Sequence, residues 1–74
     1  MSGYDDIMKS LDRKDFDLLE DREPDIIKGI RKRLSKGDSP KEIGAYIRRH
    51  SPHKWPESKM IEGAARHMER EGRR

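Results

Sequence analysis

Seventy-four residues hold one small domain, and 45% of them are charged, with a net charge of +3. Cysteine, valine, threonine, asparagine and glutamine are all absent, which excludes a disulfide framework and thiolate metal sites and leaves a β-sheet without its usual residues. No apolar run approaches the length of a signal-peptide core or a membrane span, so the chain reads as a soluble, cytoplasmic protein. Leu, Ile and Phe together number only twelve. Such a thin core invites a protein partner or a homodimer.

The charge is divided along the chain. Residues 1–23 carry four basic and eight acidic side chains, and residues 24–74 carry fourteen basic and seven acidic. We therefore expect an acidic N-terminal segment over 1–23, partly helical or flexible, followed by a basic three-helix domain over 24–74. In the first segment Tyr4, Ile7, Met8 and Leu11 follow i, i+3, i+4, i+7 spacing, which predicts a short amphipathic helix over about 4–12. Asp15-Phe16-Asp17-Leu18-Leu19-Glu20 reads as another helical turn or as a linker with a hydrophobic anchor.

The next helix is predicted from Pro24 to Lys36, with Ile26, Ile27, Ile30 and Leu34 in one arc and Lys28, Arg31, Lys32 and Lys36 in the opposite one. Lys36-Gly37 ends it: a cation at the negative end of the dipole, then a residue free to adopt positive φ. Ser39 then forms an N-cap, Pro40 occupies N1 and Glu42 completes a capping box. That helix runs to His50, with Ile43, Tyr46, Ile47 and His50 on one side and Lys41, Arg48 and Arg49 on the other. Ser51-Pro52 stops it, and Trp55-Pro56 launches a last helix to about Glu71. The last helix has Met60, Ile61, Ala64, Ala65 and Met68 as its apolar face, with Lys59, Arg66, Arg70 and Arg73 across from it. The fold class is all-α, a small bundle of three helices with an additional N-terminal helical segment. Its expected core is Ile27, Ile30, Leu34, Ile43, Tyr46, Ile47, Trp55, Ile61, Ala64 and Met68.

The run from Ile30 through Gly37 and Ser39-Pro40 to Glu42-Ile43-Gly44-Ala45 resembles the opening half of helix-turn-helix DNA-binding domains over about residues 26–47. Those domains follow an apolar helix with a glycine stop, a Ser-Pro-type cap and Glu-Ile before small residues. The stretch from Arg48 to Trp55 is longer than the family's usual turn. The resemblance implies that the last helix is the recognition helix, with Lys59, Arg66, Arg70 and Arg73 meeting phosphates or base edges. Arg48 and Arg49 join them as nucleic-acid-binding candidates, and DNA is the expected partner. The competing account treats Glu62–Arg66 and Glu69–Arg73 as ordinary i, i+4 pairs on a solvated face.

A second functional reading needs no nucleic acid. Ile7, Met8, Leu11, Phe16 and Leu19 are apolar residues set among carboxylates, as in an adaptor segment that docks on another protein. His50, His53 and His67 could ligate zinc but lack a fourth ligand and thiolates, with His50 on the apolar face of its helix and His53 in a loop, so no metal and no cofactor are expected. With no cysteine nucleophile, glycine-rich phosphate loop or paired carboxylates in an evident cleft, no catalytic residue is assigned and no enzyme is expected.

Overall fold

The computed structural model describes residues 3–51 and 54–72. These form four helices: α1 (Gly3–Arg22), α2 (Pro24–Ser35), α3 (Pro40–His50) and α4 (Ser58–Gly72). The described residues contain no strand, so the protein is all-α.

Local chemistry sets each boundary. Glu23 precedes a proline, which drives it from the helical region, and it separates α1 from α2 at φ −137° and ψ 66°. Its N–H still reaches back to Leu19 O at 2.7 Å, so the break costs no backbone hydrogen bond there. At the other end of α2, Gly37 takes φ 96°. The Asp38 N–H then donates to Arg33 O at 3.1 Å and the Gly37 N–H to Leu34 O at 3.0 Å, the paired bonds of a Schellman cap. The Ser39–Glu42 capping box forms as expected: Glu42 N–H donates to Ser39 Oγ at 3.2 Å and Ser39 N–H to Glu42 Oε1 at 3.0 Å. The Ser39 N–H bond holds the Glu42 carboxyl below its usual range, so the box persists in ionised form well into mild acid. Ser51, which precedes Pro52, is extended and closes α3. Helix α4 starts at Ser58, two residues beyond the expected Pro56, which is itself buried.

The core gathers around α4, which packs on α1 and α3 while α2 touches all three. Leu19, Ile27, Ile30, Ile43, Ile61, Ala64 and Ala65 are buried, and Phe16, Ile26, Leu34, Ile47, Met60 and Met68 pack against them. Two expected core residues stand outside. Tyr46 is 38% exposed and Trp55 39% exposed. Helices α3 and α4 meet by near-backbone approach at Gly44, where a Cβ would stand 2.7 Å from the Ser58 carbonyl oxygen. Tyr46 instead carries the Arg33 guanidinium 3.3 Å over its ring and lies 4.2 Å from the His50 ring, centroid to centroid.

The N-terminal segment takes the helical one of its two expected readings and carries it further: the turn over 15–20 joins the helix expected over about 4–12, so α1 is one continuous helix, and its Leu19 is fully buried. Phe16 packs on the same core, its ring 4.9 Å from that of His67.

Candidate nucleic-acid interface

The most buried charge among the described residues explains where Arg66 and Arg70 of α4 go. Asp12, on α1, is only 2% exposed. It accepts from Arg66 Nε at 3.0 Å and Arg66 Nη2 at 3.0 Å, a bidentate fork, and from Arg70 Nη2 at 3.1 Å. Glu62 adds a further contact, accepting from Arg66 Nη1 at 2.6 Å. Hydrogen bonding to Asp12 raises the Arg66 pKa against the opposing effect of its partial burial, so the guanidinium stays charged. One buried carboxylate thus holds two cations, with a second carboxylate on its rim.

Gly63 makes the cluster sterically possible. A Cβ there would stand 2.5 Å from Asp15 Oδ2 and 3.1 Å from Asp12 Oδ1, so the missing side chain is the space α1 uses to bring its carboxylates onto α4. Asp15 comes in with an unfavourable charge. Burial, followed by the nearby Asp12, raises its pKa above the usual 3.8, and Arg66 only partly opposes this. The sign follows directly. A raised folded-state pKa favours folding below about pH 3.8 and imposes a penalty that is complete once pH passes the raised value. Asp15→Asn is therefore expected to stabilise the protein slightly at pH 7, the gain kept small because water screens the partly exposed carboxyl. The gain should vanish near pH 3, and urea titrations at the two pH values would check both halves of this expectation.

These contacts reposition the candidate residues. Arg66 and Arg70 do not form an outward stripe: they face α1, and the whole run Arg66–Arg70 is half-buried. The physical reason is that α4 is packed on more than one side, which a single apolar arc cannot reveal. Arg48 Nη1 donates to Pro56 O at 2.8 Å and ties α3 to the approach of α4. Arg49 and Lys59 are exposed. Arg73 and His53 lie outside the described residues. Among the adaptor candidates, Phe16 and Leu19 belong to the core, Met8 is half-buried, and Ile7 and Leu11 are exposed.

A further group of exposed cations lies on α2 and its C-cap residue Lys36. Lys28, Arg31, Lys32 and Lys36 are all exposed, and among the described residues none has a carboxylate within 4.0 Å. Arg33, between them in sequence, turns inward to Tyr46 and to Asp38 at 3.7 Å. The signal was present in the amphipathic pattern of α2, where Lys28, Arg31, Lys32 and Lys36 fall opposite the isoleucines and Arg33 falls beside Ile26. No helix of the described residues is long and apolar enough to cross a membrane. No family model, curated protein or solved structure matches the chain.

Proposed function

We propose that the protein is a small DNA-binding helical bundle that grips the phosphate backbone with the outward face of α2. The observation that carries this reading is that four exposed cations, Lys28, Arg31, Lys32 and Lys36, share one outward arc of α2 and its C-cap, none of them with a carboxylate within 4.0 Å among the described residues. Surface cations with carboxylate neighbours spend their charge locally, whereas a row without them projects a positive field that attracts polyanions. The helix-turn-helix resemblance over residues 26–47 points to the same class of partner but to α4 as the contacting helix; this reading takes DNA from it and departs from it in assigning the contact to α2. Arg66 and Arg70 serve the fold in this reading, because releasing them would expose the buried Asp12 charge.

Fluorescence-anisotropy titrations of a labelled duplex at several salt concentrations test the proposal. Four phosphate contacts are expected to give a slope of about −3.5 for log affinity against log salt. Replacing both Arg31 and Lys32 with Ala should reduce the slope by about 2 and weaken binding equally on unrelated sequences. Absent binding, salt-insensitive binding, or a slope unchanged in the double variant would overturn it.

A further inference from the structure

Helix α1 leaves a second face unoccupied. Tyr4, Ile7, Leu11 and Leu18 are 69, 59, 48 and 38% exposed. Their spacings of three, four and seven residues form a heptad seam, and the one position missing from the series is filled by Lys14. The seam runs about 21 Å along the helix at 1.5 Å per residue. It is distinct from the face made by Asp12, Asp15, Phe16 and Leu19, which turns towards α4 and the core. A chain this short of large apolar residues has nevertheless left four of them in a row in solvent.

We infer that this seam pairs with the same seam of a second copy, antiparallel, to form a symmetric homodimer. Charge points to this occupant. The acidity of residues 1–23 suggests a basic partner, but Asp12 and Asp15 are directed at α4. Among the exposed charges of α1 within about 100° of the seam on a helical wheel, Asp17 and Asp21 are set against Lys14 and Arg22: two against two. That surface is close to neutral and interspersed, so a second copy is not repelled and a strongly basic partner gains little.

Lys14 sets the direction. Parallel pairing in register would stack Lys14 on Lys14 of the second copy. Antiparallel pairing instead lays each lysine's aliphatic stem beside Ile7 and Met8 of the other copy and frees the ammonium to reach water. Leu11, midway between Tyr4 and Leu18, then sits near the two-fold axis, with Tyr4 beside Leu18 of the second copy. Residue i meets j as j meets i, as an isologous interface requires. Opposed helix dipoles favour the same direction. A single helix pair is at the small end of specific interfaces, so the dissociation constant should be on the order of 10 µM.

Sedimentation equilibrium on the full chain tests the inference. The expected result is a reversible monomer–dimer equilibrium in the micromolar range, weakened at least about 100-fold by Leu11→Asp and by Tyr4→Lys. Tyr4 and Leu11 are exposed, and two separate variants guard against a folding defect in either one. Because the chain has no cysteine, orientation can be read directly. A mixture of Tyr4→Cys and Leu18→Cys chains should oxidise to the mixed disulfide, whereas Tyr4→Cys alone should not form a disulfide-linked dimer. A wild-type chain still monomeric at about 1 mM, a dimer indifferent to both charge variants, or efficient cross-linking of Tyr4→Cys to itself would overturn the proposal.

Discussion

Asp12→Ala should destabilise the protein by about 3 kcal/mol, the scale on which breaking one side of a buried ion cluster acts. The carboxylate is 2% exposed and receives three hydrogen bonds from two arginines. Its loss leaves Arg66 and Arg70 beside Asp15 and Glu62 but without their central acceptor. Both guanidiniums retain about a third of their exposure, which lets water repay part of the loss and keeps the cost near the lower end of that scale. A domain of this size has a total stability of roughly 5–10 kcal/mol, so the midpoint should fall by about 15 °C in a thermal scan monitored by circular dichroism. Arg66→Met alone should also be costly, yet the double variant should cost clearly less than the sum, with a coupling of about 1 kcal/mol or more. A single-variant loss under about 1 kcal/mol would mean that the cluster does not hold α1 on α4.

The second large effect is expected at Gly44. Gly44→Ala would place a Cβ 2.7 Å from the Ser58 carbonyl oxygen and 3.3 Å from Glu62 Cβ. The first obstacle is backbone, so α3 and α4 must separate and the packing of Ile43 on Ile61 must loosen with them. Overpacking of this kind costs about 1–3 kcal/mol and outweighs the gain of about 1 kcal/mol from alanine's helix propensity. The net loss should be about 1–2 kcal/mol by urea unfolding. Gly29→Ala is the contrasting case. Its added Cβ meets only Ile47 Cδ1 at an ordinary 3.8 Å, so propensity acts unopposed and the variant should be stabilised by about 0.5–1 kcal/mol. Opposite signs for the same substitution would locate the close approach; equal signs would contradict it.

How much could be read in the sequence depended on whether a signal was local. The stop at Gly37, the cap at Ser39 and the partner carboxylate at Glu42 act within a few residues of one another, and the structure has all three. The apolar arc of α2 works in the same way, with Ile27 and Ile30 buried. What failed depended on contacts between distant segments. Asp12 looks like one more surface carboxylate until α4 is laid against it, and only then do Arg66 and Arg70 acquire a reason to turn inward. One local clue existed: Met8, Asp12, Phe16 and Leu19 share a helical arc, so a carboxylate on that arc had to find cations once the arc was buried. Aromatic size suggests a core role for Tyr46 and Trp55, whereas both are partly exposed and Tyr46 packs on Arg33 and His50, partners that its own helix's apolar arc does not reveal. The cations of α2 were visible as an arc but competed with the longer basic series of α4, and only the structure separates paired charges from unpaired ones.

The most direct test of the functional account is an amide chemical-shift titration of the protein with a short DNA duplex. Binding through α2 predicts shifts concentrated in Lys28, Arg31, Lys32, Lys36 and the adjoining Gly37 turn, with α1 and the Arg66–Arg70 stretch unmoved. Shifts centred on Lys59, Arg66 and Arg70, accompanied by changes around Asp12 as α1 gives up its arginines, would contradict it.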